Sequence, residues 1–488
     1  MPAYNAARPP SVEPLHMRPV LLAGFLCPAL LFASMALPAS PGTVAVAAQP
    51  TGPGASAVLL GRLFDARSGK VVEQGVVVVA GDRIHCAGQE WDCARPQGAA
   101  VHDYGRSMLL PGLIDLHVHA RPHYIGAFVP SGVTTVRDAN NTLATIATLH
   151  AATGAPRILA SGPALDGPAS ALGEAPSPLG SQPLETLMPV TVTTADEAAS
   201  AVQALVGAGV DWIKLYEQLS PEAMAAAVQA ARQAGVPVMA DLGLVLTRGL
   251  SGAQVDAVQA GQAGVSTLEH LSGAALAYQR MGGDPRAELD PALLDRLAAD
   301  IAATGMAVVP TRANTRQFNA PGSVALEGLP GEDRVRPHFE GFWRYLEGAV
   351  AGESVRAGSA ADLRLSSALL PRLLAAGVPI GAGSDLPAAP QMLPGGALHQ
   401  ELQALVEAGL SPVQALQAAT HVAGSILGRE DLGRLEAGAL ADILVVDGDP
   451  TADILHTRKV RAVWLDGEVV ELEAAWEQVE QALEAAAQ

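Results

Sequence analysis

The sequence predicts an α/β protein: a (β/α)8 barrel of the TIM-like kind, with a small β-sandwich domain formed from both termini. Three observations predict it. Short apolar strands alternate with Ala-rich amphipathic segments through the middle of the chain. Polar residues in that stretch collect at the C-terminal ends of the strands, where such barrels carry their reactive groups. The two ends of the chain share another texture, strands joined by tight glycine-containing turns.

The first 48 residues have their own logic. Met17-Arg18 precedes the apolar run PVLLAGFLCPALLFASMAL, and small residues follow, including Ala45-Val46-Ala47. This is the order of a secretory signal peptide, so residues 1–48 read as a signal peptide with an upstream segment. The alternative, a transmembrane anchor, is weakened by the shortness of the run and by Gly24 and Pro28 within it. Gly24-Phe25-Leu26 before Cys27 is not a lipid-attachment motif. The expectation is a periplasmic or secreted protein with no stable membrane insertion once the signal is removed. Two cysteines, Cys86 and Cys93, remain. In an exported chain such a close pair reads as a disulfide loop, with unlinked thiols as the alternative.

Residues 49–108 form the N-terminal part of the sandwich domain. VLLGRLFD and EQGVVVVA are strands split by Ser68-Gly69-Lys70, and Gly81-Asp82-Arg83 turns into IHCAG. Residues 431–488 supply the C-terminal part, ADILVVDG and VRAVWLDGEVV with their Asp-Gly turns, and a terminal helix. Residues 109–430 are the barrel. Its eight expected strands are LIDLHVH, SGVTTVRDA, RILASG, VDWIKLY, VPVMADL, VSTLEH, MAVVPT and VPIGAGSD. Between the fourth and fifth, SPEAMAAAVQAARQAG is a helix with Ser220 as N-cap, Pro221 in its first turn and Gly235 at its end.

The formal net charge of −19 argues against a nucleic-acid partner, because phosphate binding needs a basic surface. A small-molecule substrate is expected, and a homo-oligomer is compatible with the sequence.

Strand side chains alternate faces, so Asp115, His117 and His119 point the same way. At the end of the first barrel strand that direction is the barrel mouth, where two imidazoles reach one metal ion. Lys214 and Tyr216 end the fourth strand, Glu269-His270 the sixth, and Gly383-Ser384-Asp385 the eighth. Polar groups converging on one mouth are costly unless paired or metal-bound.

PGLIDLHVH, GVTTVRD, DWIKLY, STLEH, GAGSD and GRLEAGALADILVVDGDP together resemble the amidohydrolase superfamily, from about residue 57 to 470. The nearest resemblance is to imidazolonepropionase-like and prolidase-like members. It implies a metal-dependent hydrolase of carbon–nitrogen bonds. By the resemblance, His117 and His119 are ligands of the more buried metal, and Lys214 carries carbon dioxide as a carbamate bridging two metals. His270 is a ligand of the second metal. Asp385 touches the first metal and takes the proton of the attacking water, and Tyr216 donates to the carbonyl oxygen. The cofactors implied are one or two divalent ions, zinc first, and carbon dioxide held by Lys214.

One position departs from the pattern. Where the resemblance calls for histidine at the end of the fifth strand, this chain has Asp241, followed by an extended loop from Leu244 to Ala253. A carboxylate can complete a binuclear site. Alternatively the site is mononuclear or impaired, or Asp241 caps a helix. Arg137 and His399 are candidate substrate-binding residues; Arg137 also fits a scaffold role and His399 a helix-start role. The insert from Arg312 to Arg364, with Phe339, Phe342, Trp343 and Tyr345, fits a lid or an ordinary packed helix. The function expected is hydrolysis of a dipeptide or N-acyl amino acid. The alternatives are a catalytically impaired relative that acts as a binding protein, and a cyclic-amide hydrolase or deaminase of the same superfamily.

Overall fold

The computed structural model describes residues 56–170, 174–175, 185–186, 189–245 and 253–487. The expected signal peptide, and most of the expected loop extension after Asp241, lie outside them.

Seven strands from the two ends of the chain combine in one sheet. From the N-terminal side come β1 (Ser56–Asp65), β2 (Lys70–Ala80), β3 (Arg83–Gln89) and β4 (Ala100–Pro111). From the C-terminal side come three strands numbered last in chain order: β16 (Ile443–Val446), β17 (Val460–Leu465) and β18 (Glu468–Val469). The order is β18-β17-β16-β4-β1-β2-β3. The joint between the two ends is antiparallel, with Leu444 opposite Leu110 and Val446 opposite Met108. The two-ended construction is therefore present, but as a single sheet. The separate facing sheets expected for a sandwich are not confirmed among the described residues, where β4 and β16 pair edge to edge in one continuous ladder.

Both faces of this sheet are covered, which explains the unbroken VVVV of β2. Val77 and Val79 pack with Leu59, Leu109, Val445 and Trp464. Val76 and Val78 face the other way, onto Cys93 and Cys86. Those cysteines are bonded, with Cα atoms 5.8 Å apart, and the loop they close covers the second face. Between β17 and β18, Asp466 and Gly467 both have positive φ (49° and 81°), the conformation a two-residue hairpin of primed type requires. A side chain at Gly467 would lie 2.0 Å from the Gly81 carbonyl oxygen.

Beyond Gly112 the strands turn parallel. β5 (Leu113–Val118), β6 (Val133–Asp138) and β7 (Arg157–Ala160) form a three-stranded sheet. A short antiparallel pair follows, β9 (Glu174–Ala175) with β10 (Glu185–Thr186), after β8 (Leu165–Asp166). β8, β11 (Val190–Thr191), β12 (Ile213–Leu215), β13 (Val238–Ala240), β14 (Thr267–Glu269) and β15 (Ala307–Val309) form a six-stranded sheet in the order β11-β8-β12-β13-β14-β15. This is a TIM-barrel-like α/β arrangement, but the ladder does not close into one eight-stranded sheet.

The two sheets are joined instead by a few backbone bonds outside any strand ladder. Asp211 and Trp212 donate to Ala160 at one junction. At the other, the segment expected as the eighth strand bonds both neighbours: Gly381 donates to Val308, and Leu116 donates to Ala382. That segment has no strand ladder because it is built of glycines at close approach. A side chain at Gly381 would sit 2.3 Å from Leu116, and one at Gly383 2.6 Å from Val309.

The helix of Pro221–Ala234 forms with the predicted ends: Ser220 Oγ accepts from Ala223 N, and Gly235 is left-handed at φ 73°. The insert folds as helices Arg312–Asn319, Glu332–Val350 and Glu353–Ala375. Its aromatic residues divide: Tyr345 is exposed and Phe342 half-buried, while two serve packing. Phe339 and Trp343 are buried, and Phe339 meets Tyr124 edge-on with ring centroids 6.0 Å apart. Arg334 of the same helix bonds Glu480 of the C-terminal helix at 3.4 Å. Among the described residues no helix is long and apolar enough to cross a membrane.

Candidate metal centre

β5 delivers its two histidines to the strand ends. His117 is fully buried, and His119 is partly exposed. The His117 Nδ1–H donates to Glu269 Oε2 at 2.6 Å. Burial, with the nearby Lys214, His270, His119 and Arg137 charges, holds His117 well below the usual imidazole range. The contact is therefore a hydrogen bond from a neutral ring rather than an ion pair. It fixes the tautomer and leaves the Nε2 lone pair free. That atom is buried and has no hydrogen-bond partner among the described residues, and the same is true of His119 Nδ1.

Asp385 closes the group. His119 Nε2 lies 3.1 Å and His117 Nε2 3.6 Å from its Oδ1. Burial by itself raises the Asp385 carboxyl, but His270, His119 and Lys214 outweigh it and bring it below its ordinary value. His270 faces His117 with ring centroids 4.5 Å apart. One donor atom from each of His117, His270 and Asp385 lies within 4.8 Å of the others. The buried His117 Nε2 without a partner, set beside the Asp385 carboxylate and the His270 imidazole, suits a divalent cation with N/O ligands.

Strain sets the aim of these groups. In β14, alternation puts Thr267 and Glu269 on one face and would turn His270 away. His270 instead has φ 60° and Leu271 φ 55°, which brings the imidazole back toward the mouth. Asp385 (φ 55°) and Thr311 (φ 44°), at the ends of the neighbouring segments, are left-handed too. His270 Nδ1 shares a 2.6 Å hydrogen bond with Thr311 Oγ1, and its Nε2 lies 3.5 Å from Asp241 Oδ2. The other oxygen of Asp241 accepts from Gly243 N at 3.3 Å, so this carboxylate divides its oxygens between a backbone turn and His270.

Lys214 on β12 is buried, close enough for its charge to depress both His117 and Asp385. Tyr216, just past β12, is partly exposed. Burial and the carboxylates of Asp241, Glu217, Asp166 and Asp385 push its phenol well above the ordinary value, so it remains a donor. Asp115 shares a face with His117 but bonds inward. It accepts from Ser384 N and Ser384 Oγ at 2.9 and 2.6 Å and ties β5 to the 380–385 segment. Burial raises its carboxyl to about 7.

Two expected substrate contacts lie elsewhere. Arg137 is fully buried beneath the cluster: Nε donates to Leu116 O, Nη1 to Thr267 Oγ1, and Nη2 to Glu269 Oε1 at 2.8 Å. Its guanidinium lies 4.4 Å from the Trp212 ring centroid. A substrate carboxylate has no access to it; its partner is Glu269. His399 is also buried, bonded to Thr457 Oγ1 at 2.9 Å and Ser131 O at 2.8 Å. Ser131 precedes β6, so His399 sits at the strands' N-terminal end, opposite the mouth.

Sequence reasoning placed Glu269 at the mouth but gave it no role, and it missed Thr311; the two orient the imidazoles of His117 and His270 from behind. The signal for Glu269 was its position two residues after Thr267 in an otherwise apolar strand, a charge on an inward face.

A model of the amidohydrolase family matches residues 108–470. A search of curated proteins returns no match. Among solved structures, a Xaa-Pro dipeptidase with bound methionine in the active site is 22% identical, with a TM-score of 0.62; the alignment covers 86% of this chain and 100% of that one. An A. niger ochratoxinase is 20% identical (TM-score 0.62; 85% and 95% covered). A bottromycin amidohydrolase is 24% identical (TM-score 0.60; 88% and 90% covered). At these identities the likeness is one of fold.

Proposed function

The chain belongs to the amidohydrolase family and is a hydrolase acting on carbon–nitrogen bonds, and we propose that it is an exported, metal-dependent enzyme that cleaves the amide of a dipeptide or N-acyl amino acid. The observation that carries the proposal is the His117 Nε2 lone pair. It is fixed by Glu269, buried without a partner among the described residues, and aimed into the space shared with His270 and Asp385. Dipeptidase and other amidohydrolase folds among the structural relatives support the substrate class. The Cys86–Cys93 bond supports export, since such bonds persist in oxidising compartments. The reading treats the two parallel sheets and the 380–386 segment as one (β/α)8 barrel, supported by the backbone bonds that link them.

His117, His119, His270 and Asp385 would hold the ion, with Asp241 and a carbamate on Lys214 completing a second site. A divalent ion there, zinc first, would supply Lewis acidity to the scissile carbonyl and would lower the pKa of water toward neutrality. The rest is work for the chain's own groups. Asp385, ionised at neutral pH, accepts the proton of the attacking water as the new C–O bond forms. The Tyr216 hydroxyl donates to the carbonyl oxygen as charge builds on it. Asp385 then returns its proton to the leaving nitrogen as the C–N bond breaks, so the water is consumed and no proton is lost.

The test is a screen of dipeptides and N-acyl amino acids with the wild type and Asp385→Asn. The variant is expected to lose about 10²–10⁴-fold in kcat while keeping its fold. Near-normal turnover by Asp385→Asn would remove Asp385 as the proton acceptor.

A further inference from the structure

The helix of Arg312–Asn319 begins at Thr311, and Thr311 does not cap it: its side chain makes no hydrogen bond to the helix's own N–H groups. A threonine is the ordinary residue for that task. Here the hydroxyl points the other way, to His270 Nδ1 at 2.6 Å, and the residue holds a left-handed φ of 44°, an unfavourable conformation for a β-branched side chain. The vacated task is done from outside the helix. Glu401, on the helix of Ala397–Glu407, extends Oε2 to within 2.7 Å of Ala313 N in the first turn. An acceptor oxygen there satisfies an orphan donor of the first turn, whether or not the carboxyl, raised to about 7 by burial, carries its proton. Glu401, Thr311 and Ala313 are all fully buried. Glu401 Oε1 has no hydrogen-bond partner among the described residues, a cost that a purely structural position filled by an apolar side chain would not carry.

We propose that Glu401 is a positioning residue for the metal centre: by capping the Arg312–Asn319 helix in place of Thr311, it frees the Thr311 hydroxyl to orient His270. The inference rests on the reading of His270 as a metal ligand, and it adds a link from a helix packed outside the strands to one imidazole within them. The chain of contact is short: carboxylate to backbone N–H, helix start to hydroxyl, hydroxyl to ring nitrogen. Loss of Glu401 leaves Thr311 as the nearest side chain able to cap the helix, and a Thr311 that turns back to cap releases His270.

The test compares Glu401→Ala, Glu401→Gln, Thr311→Val and Thr311→Ser in the full-length protein. Histidine ring ¹⁵N spectra are recorded on the metal-free protein, and zinc affinity is measured by competition with a chromophoric chelator. Glu401→Ala and Thr311→Val are expected to shift the same His270 ring resonances and to weaken zinc binding about 10–100-fold. The two together should do no more than either alone. Glu401→Gln, whose amide oxygen still accepts from Ala313 N, and Thr311→Ser, which keeps the hydroxyl, should restore most of the affinity. Unchanged His270 resonances in Glu401→Ala, or fully additive losses in the double variant, would overturn the proposal. Should Glu401→Ala fail to fold, Glu401→Met, which fills the space but offers no oxygen to Ala313 N, replaces it: shifted His270 resonances are expected there, and unchanged ones would overturn the proposal. The metal-free spectra keep this outcome apart from the premise, which fails separately if His270→Ala binds zinc as tightly as the wild type.

Discussion

At the scale of single residues, the site depends on which nitrogen of each imidazole is free. Glu269 makes that choice for His117, and Arg137 balances the Glu269 charge at 2.8 Å. Glu269→Gln keeps the shape but leaves Arg137 without its counter-charge and weakens the hold on His117. Zinc affinity should drop about 10–100-fold, and a competition titration giving an unchanged constant would contradict the account. Asp241 poses the question of one ion or two. Its oxygens serve Gly243 N and His270 Nε2. If it ligates, Asp241→Ala should lose one ion per chain by elemental analysis; equal content in both proteins assigns it to the turn. His117, His119, His270 and Asp385 were all legible, because each closes a strand with a polar residue that an apolar barrel would not otherwise carry. The roles of Glu269 and Thr311 were not. Their partners lie 152 and 41 residues away, and no local pattern encodes a pairing that only the fold creates. Arg137 showed only that a charge stood on a strand. That its charge is used inward, on Glu269 and Trp212, depends on neighbours from β14 and β12.

At the scale of elements, helices with side-chain caps and proline starts formed where their end signals stood. The Pro221–Ala234 helix shows why: its signals act within one turn, so no distant contact overrides them. The eighth strand failed as a strand for the opposite reason. Gly381 and Gly383 are there to let Leu116, Val309 and His117 approach, a requirement of the packing rather than of the segment. The helix of Ala397–Glu407 is anchored by His399 to Ser131 and Thr457. Burial lowers His399 to about 4, so the folded state takes up its proton later than the unfolded chain does, near 6.5. The folded protein thus binds fewer protons between those values, and stability falls as pH drops through that window. Urea midpoints should show a loss of up to about 2 kcal/mol from this group between pH 7 and pH 5. His123, likewise lowered to about 4 by burial and then by Arg121, adds in the same direction. His399→Gln should flatten the slope; the same slope in the variant would show that His399 is not its source.

At the scale of the whole molecule, the two ends of the chain meet in one sheet, and the mouth lies among the parallel strands between them. The likeness of the end strands was legible from their tight glycine-containing turns. Their union in one domain was legible too, but the pairing partner was not: β4 joins β16 across more than 300 residues, and no local pattern encodes that register. The central claim is that this fold holds a divalent ion on His117, His119, His270 and Asp385 and uses it to hydrolyse a carbon–nitrogen bond. The most direct test measures metal per chain and amide hydrolysis together, in the wild type as purified, after chelation, after zinc is restored, and in His117→Ala. The account predicts at least one ion per wild-type chain, activity that disappears on chelation and returns with zinc, and neither ion nor activity in His117→Ala. Hydrolysis that survives complete removal of the metal, or a His117→Ala protein that binds and turns over as the wild type does, would contradict it.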